Sequence, residues 1–172
     1  MIGPRFDRSV RAVVLGAIDA AARRRDPRAG TEHLLLGLLA VDAPAKWVLR
    51  DLGLSVPTVS EALDDVDRAA LAAVGVDADR PELRSVAGAG AAACRPRRRR
   101  ARPPLNRAAR DLLARAVVVA RGVGARRVTA EHLLVAATDN GPGDPAMVVV
   151  ARIGVDPAEL RSRAAAQLFH RC

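Results

Sequence analysis

Residues 31–40 read TEHLLLGLLA, and 99 positions later residues 130–139 read AEHLLVAATD. Both stretches place a glutamate and a histidine immediately before an apolar run, as at the start of a helix. Such a short motif recurs either because it is common by chance or because the chain contains an internal duplication. The residues on either side of the two stretches decide between these explanations.

The same offset of 99 relates the residues that precede the two stretches. Apolar or small residues in 6–25 recur at spacings of 1, 3 and 4, which is the stripe of an amphipathic helix. Both the apolar stripe of the first helix and the start of the next helix recur at the same offset, which indicates a duplication. The matched positions are Phe6, Val10, Val13, Val14, Ala17, Ile18 and Ala21 with Leu105, Ala109, Leu112, Leu113, Ala116, Val117 and Ala120.

The match continues after the two helix starts. APAKWVLRDLGLS (43–55) aligns with DPAMVVVARIGVD (144–156) at an offset of 101, so that Gly53 matches Gly154. Each glycine follows an apolar run, the position typical of a helix end. The sequence therefore predicts an all-α protein, a pseudo-twofold duplication of a four-helix repeat with about eight main helices. These are predicted at 6–25, 31–40, 44–52, 56–68, 106–121, 130–138, 145–153 and 157–169.

An insert at 70–104 is predicted to separate the two repeats, 1–69 and 105–172, which we expect to pack as one domain. Its first part, LAAVGVDADRPELRS (71–85), echoes VARIGVDPAELRS (150–162) and predicts an extra helical segment near 71–86. The rest of the insert is rich in small residues, then basic and bounded by proline, which is typical of a flexible linker.

Most of the formal net charge of +9 comes from one run at 95–102, since the chain without its six arginines carries +3. A solvated linker, an acidic protein partner and nucleic acid all stay open for this run. Nucleic acid is the least favoured, because no aromatic residue is interleaved to stack bases. The arginines are Arg95, Arg97, Arg98, Arg99, Arg100 and Arg102.

Other patterns argue against several function classes. No apolar run reaches the ~18–20 residues of a membrane span. Cys94 and Cys172 have neither metal-ligand spacing nor the pattern of a disulfide framework, which is typical of a cytoplasmic protein. No phosphate loop or recognisable catalytic motif is present, so neither catalysis nor a cofactor is predicted. His33 and His132 lack the HExxH spacing of a metal site, and we interpret them as buried histidines bonded to the backbone.

The duplicated pattern resembles the Clp N-terminal repeat domain, the double four-helix module of the ClpA/ClpC class of AAA+ unfoldases. The resemblance covers nearly the whole chain except 70–104, and the missing phosphate loop makes the chain similar to a stand-alone N-domain. The residues that carry it are GTEHLLLGLL (30–39), TAEHLLVAAT (129–138), the LGL and IGV turns (52–54 and 153–155), FDRSVRAVVL (6–15) and PLNRAARDLL (104–113).

The resemblance implies a non-catalytic protein-binding module of the Clp protease and chaperone system. Its partners would be adaptors, tagged substrates or cyclic peptides, and both a delivering adaptor and a decoy stay open. In the family, the surface between the first helices of the two repeats binds adaptors and cyclic peptides. Leu105 replaces the usual aromatic anchor of this surface, which weakens the expected binding of macrocycles. The matching positions are Phe6, Val14, Leu105, Arg110 and Leu113, and a purely structural role of these residues in the core of the repeat stripe stays open as well.

The resemblance also implies phosphoarginine binding, with Glu32 and Glu131 holding the guanidinium group. A structural reason for these glutamates stays open as well, because a helix N-terminus favours a carboxylate by ~0.3–1 kcal/mol. The phosphate needs donors at the start of the first helix of each repeat, where this chain has Asp7 and Asn106. Asp7 repels a phosphate, which disfavours the first repeat, whereas Asn106 can donate in the second.

Overall fold

A computed structural model describes residues 5–76 and 102–169, and these residues form eight helices. The predicted all-α class and the number of main helices are confirmed within this part of the chain. The helices are α1 (Arg8–Arg24), α2 (Thr31–Ala40), α3 (Pro44–Asp51), α4 (Val56–Ala73), α5 (Arg107–Gly122), α6 (Ala130–Thr138), α7 (Pro145–Ile153) and α8 (Pro157–Phe169).

The helix ends follow local side-chain and backbone chemistry. α1 begins two residues later than predicted, because Oδ1 of Asp7 accepts the backbone N–H of Val10 at 3.0 Å and makes Asp7 the N-cap. Asn106 caps α5 in the same way. Gly53 and Gly154 follow α3 and α7 with φ angles of 81° and 92°, as their predicted role at helix ends requires.

Helix α4 is longer than the sequence pattern indicated. It continues past the predicted end at residue 68 to Ala73, and Gly75 follows with a φ of 77°. The remainder of the extra helical segment predicted near 71–86, from residue 77 on, lies outside the described residues. So do five of the six arginines of the basic run, whereas Arg102 is described and exposed.

Two short strand pairings connect the repeats and were not predicted. β1 (Arg5–Phe6) runs parallel to β2 (Arg127–Val128), with Phe6 opposite Val128. An isolated parallel bridge joins Ala29 to Leu105. Adding 99 to Phe6 and Ala29 gives Leu105 and Val128, so the two pairings are equivalents that a pseudo-twofold axis exchanges. Strands of two residues are too short to carry an alternating pattern in the sequence.

Helix packing interleaves the two repeats in the same reciprocal way. α3 of the first repeat packs against α8 of the second, and α4 packs against α7. α2 and α6 lie at the centre, and their apolar residues are almost completely buried. Each repeat therefore covers part of the other's core.

The first two helices cross closely at a pair of glycines. A Cβ atom on Gly37 of α2 would overlap the backbone carbonyl of Val13 in α1. A Cβ atom on Gly16 of α1 would lie 3.4 Å from the Cα atom of Gly37, an ordinary contact. The close approach of α1 and α2 thus depends on Gly37.

In the described ranges, none of the helices combines the length and the apolar composition that a membrane crossing requires.

Candidate functional site

An apolar groove of about 410 Å³ lies between α1 and α5. Its lining includes two large apolar side chains that remain open to solvent, Phe6 at 37% and Leu15 at 48% of full exposure. Among the described residues, the only charged side chain in the lining is that of Arg11. The lining residues are Phe6, Val10, Arg11, Val14, Leu15 and Leu113.

The groove brings together three of the five residues expected on this surface, Phe6, Val14 and Leu113. Val14 and Leu113 are equivalents at the offset of 99, so the groove straddles the pseudo-twofold axis. Leu105 does not line it, because this side chain packs against the core beside its bridge to Ala29.

Arg110 also lies outside the groove lining, although it is exposed on α5 one helical turn before Leu113. Sequence reasoning did not single out Arg11 and Leu15 as site residues. A signal for Leu15 existed, because it is an apolar residue outside the predicted core stripe of the first helix.

A second cavity, of about 440 Å³, contains side chains of both repeats. Glu32 and His33 come from the first turns of α2, and Asn106 comes from the N-cap of α5. Arg24 also lines the cavity, but its guanidinium group is held by Asp64 and Asp67 at 2.6 and 2.8 Å. The full lining is Arg24, Asp26, Pro27, Arg28, Glu32, His33, Leu63, Val66, Asp67, Asn106, Pro145 and Val149.

His33 is buried between two carboxylates in this cavity. Its Nε2 lies 2.9 Å from Oδ2 of Asp26, and its Nδ1 lies 2.7 Å from Oε1 of Glu32. The backbone N–H of Gly30 also donates to Nδ1, at 3.1 Å. These two partners of Nδ1 compete, since the nitrogen accepts from an N–H only when unprotonated and donates to a carboxylate only when protonated.

The Glu32 carboxylate is ionised, and one of its two oxygens has no hydrogen-bond partner among the described residues. Burial alone would raise the pKa of Glu32, but hydrogen bonds from His33 and from the backbone N–H of Glu32 hold that pKa below its ordinary value. Oε2 is buried and has no hydrogen-bond partner among the described residues. The carboxylate folds back over Gly30, where a Cβ atom would overlap it.

The start of α6 has different chemistry at the equivalent positions. Thr129 occupies the position of Gly30, so its Cβ prevents Glu131 from adopting the folded-back conformation of Glu32. Nδ1 of His132 accepts the backbone N–H of Thr129 at 3.2 Å and lies 2.8 Å from the threonine hydroxyl. Burial lowers the pKa of His132, although the charges of Glu131 and Asp7 oppose this shift, so the imidazole is uncharged at pH 7.

Asp7 lies beside this second helix start, although it belongs to the first repeat. The hydroxyl of Ser9 donates to Oδ1 of Asp7 at 2.7 Å and accepts the backbone N–H of Ala130, the first residue of α6, at 3.0 Å. The Asp7 carboxylate thus already provides a negative charge at the N-terminus of α1.

The structure changes the assignment of Asp7 and Asn106 to the two glutamates. A grouping by repeat, as the sequence suggests, pairs Asp7 with Glu32 and Asn106 with Glu131. The reciprocal pairing of the repeats places Asn106 in the cavity with Glu32 and Asp7 beside the helix of Glu131. The structure therefore groups these residues across the repeats rather than within each repeat.

The interpretation of the histidines is confirmed. His33 and His132 are 2% and 5% exposed, and Nδ1 of each lies within hydrogen-bond distance of a backbone N–H. No cluster of three or more His, Cys, Asp or Glu side chains suited to a metal ion occurs within residues 5–76 and 102–169.

The solved structures that are similar to this chain include two with matches over nearly its whole length. The crystal structure of the N-terminal domain of the caseinolytic protease associated chaperone ClpD from Arabidopsis thaliana has a TM-score of 0.68 and 19% identity, and covers 95% of this chain and 97% of that one. A structure from investigations of a malarial protein secretion system has a TM-score of 0.61 and 12% identity, over 95% and 94% of the two chains. No protein-family model and no curated protein matches the sequence. Identities this low establish the fold alone, and the chain has the fold of a Clp N-terminal domain.

Proposed function

We propose that the chain is a non-catalytic protein-interaction module of the Clp protease and chaperone system. The observation that carries this proposal is the apolar groove between α1 and α5, with Phe6 and Leu15 exposed at its surface. Contiguous apolar surface that a protein leaves open to water typically marks an interaction site. The similarity to the ClpD N-terminal domain supports the choice of the Clp system.

The groove chemistry suits a protein segment or a cyclic peptide with apolar side chains. Its volume of about 410 Å³ falls in the range of ligand pockets, ~300–1,000 Å³. Val14 and Leu113 contribute apolar side chains to the lining, and Phe6 offers the aromatic side chain that Leu105 lacks. A partner side chain that contacts Phe6 gains affinity by removing its apolar surface from water.

Replacement of Leu15 by aspartate is expected to abolish the effect of the chain on proteolysis by a Clp complex. A partner would have to bury the new carboxylate in an apolar groove, which we expect to weaken binding more than tenfold. The measurement is the rate at which a purified Clp unfoldase and peptidase from the source cell degrade a client protein. A delivering adaptor raises this rate, and a decoy lowers it.

Val118→Asp is the matched control, because Val118 is 65% exposed on α5 and does not line the groove. The control variant should act like the unmodified chain. An unmodified chain that leaves the degradation rate unchanged contradicts a role in the Clp system. Equal effects of the two variants contradict the groove as the site.

A second ligand, phosphoarginine, is favoured by the cavity that contains Glu32 and Asn106. The unpartnered Oε2 of Glu32 can accept from a guanidinium group, and charge-assisted bonds of this kind are strong. Oδ1 of Asn106 accepts from Ala109 at 2.8 Å, which leaves Nδ2 to donate to a phosphate at the N-terminus of α5. At the other helix start, Asp7 would repel a phosphate.

Calorimetric titration with free phosphoarginine is therefore expected to detect one site per chain. Glu32→Gln should weaken binding about 10- to 100-fold, since it removes charge-assisted hydrogen bonds worth ~1.5–3 kcal/mol. Glu131→Gln is the matched control and should leave the affinity unchanged. Loss of binding in Glu131→Gln alone would assign the ligand to the other helix start.

A further inference from the structure

The two helices that form the groove carry an excess of positive charge. α1 and α5 each contain four arginines and one aspartate, a net charge of +3 for each helix. Outside these helices and the run at 95–102, 14 basic residues face 17 acidic ones, a net charge of −3. The positive charge in the described part of the chain is thus concentrated on the helices that border the groove.

Several of these arginines are available to a partner. Arg8, Arg11, Arg110 and Arg115 are exposed, and no ion pair to any of them occurs within the described ranges. Arg24 differs, because Asp64 and Asp67 neutralise it.

The available arginines lie next to the apolar lining. Arg11 is itself part of the lining, with Arg8 one turn before it and Leu15 one turn after it on the same face of α1. Arg110 has the equivalent position to Arg11 in the second repeat and lies one turn before Leu113 on α5. Cationic groups therefore border the groove on both of its helices.

We propose that the groove binds an acidic amphipathic helix of a partner protein, an inference that rests on the proposed function. The apolar residues of such a helix, spaced i, i+3, i+4 and i+7, would enter the groove, and its carboxylates would face Arg8, Arg11 and Arg110. Complementary charge raises the association rate and excludes basic partners, and it makes the affinity salt-dependent. An apolar groove without charged borders would not discriminate in this way.

Three labelled peptides of about three helical turns test the proposal by fluorescence anisotropy with the full chain. All share the same apolar residues at i, i+3, i+4 and i+7, and carry glutamate, glutamine or lysine at the other positions. The glutamate peptide is expected to bind about tenfold more tightly than the glutamine peptide, since several exposed ion pairs add modest energies. The difference should shrink as salt is raised, and the lysine peptide should bind least.

Substitutions separate the groove from other basic surfaces. The double variant Arg11→Gln, Arg110→Gln should lose most of the preference for glutamate and keep the affinity for the glutamine peptide. Leu15→Asp should weaken the binding of both peptides. Replacement of the six arginines of 95–102 by glutamine should leave both affinities unchanged.

Each other outcome overturns the proposal in a distinguishable way. Equal binding of the glutamate and glutamine peptides overturns the acidic preference and leaves the proposed function intact. No binding of any peptide counts against the groove itself and so against both. If only the variant without the six arginines of 95–102 loses binding of the glutamate peptide, the preference for acidic peptides belongs to that run and not to the groove. A single-stranded oligonucleotide that binds more tightly than the glutamate peptide, with the same dependence on Arg11 and Arg110, identifies nucleic acid as the ligand instead.

Discussion

The first repeat, prepared alone as residues 1–76, is expected to remain unfolded. In the whole chain, α3 and α4 bury their apolar faces against α8 and α7 of the second repeat. The buried residues Leu49 of α3 and Leu63 of α4 would lose the part of their cover that the second repeat supplies. A chain of this length is marginal even with a complete core, because small domains bury a smaller fraction of their surface on folding than large ones do.

Circular dichroism is the measurement for this prediction. Each fragment alone, 1–76 or 102–172, should show little helix and no cooperative thermal transition, whereas an equimolar mixture should regain both. The whole chain is the control. A cooperative transition in either fragment alone, as a monomer, would contradict the interleaved packing.

Gly37→Ala is expected to destabilise the protein by about 1–3 kcal/mol. The new Cβ would overlap the backbone carbonyl of Val13, and backbone atoms cannot rotate away as a side chain can. α1 and α2 would have to separate along their crossing, where both helices bury apolar residues. The free energy of unfolding, measured by urea denaturation, reports the loss.

Gly16→Ala is the matched control at the same crossing. Its Cβ would meet the Cα atom of Gly37 at 3.4 Å, which requires little movement. Alanine in the interior of α1 also gains up to ~1 kcal/mol in helix propensity over glycine. We expect this variant to be unchanged or more stable. A similar loss in both variants would contradict the specific overlap at Gly37.

The helices and the duplication could be predicted because local signals determine them. The 3- and 4-residue spacings located α1 and α5, and Gly53 and Gly154 marked helix ends. The sequence pattern predicts the end of α4 at residue 68, five residues before the observed end. The helix continues because no helix-breaking glycine or proline lies between residue 68 and Gly75.

The contacts between the repeats could not be predicted in the same way. The offset of 99 shows that Asp7 and Asn106 are equivalent, but it does not show which glutamate each one meets. The pairings that join the repeats are one strand pair of two residues and one isolated bridge, and they connect residues about 75–120 positions apart. Such pairings depend on how whole helices pack, which a local pattern does not contain.

The sequence shows that the two helix starts differ in the residue before the motif, but it does not show how this difference affects the conformation of the glutamates. Gly30 and Thr129 are equivalent residues, and the difference matters only because Glu32 folds back over Gly30. The exposure of Leu15 likewise depended on the gap left between α1 and α5.

The reciprocal pairing of the repeats has a consequence for synthesis on the ribosome. The residues of the first repeat that pair with the second repeat can do so only after a residue about 75–120 positions downstream has been synthesised. At ~5–20 residues per second, that delay is on the order of 5–20 s, during which the apolar faces that α3 and α4 bury against the second repeat have no cover. The nascent chain therefore has an interval in which a ribosome-bound chaperone would protect it from aggregation.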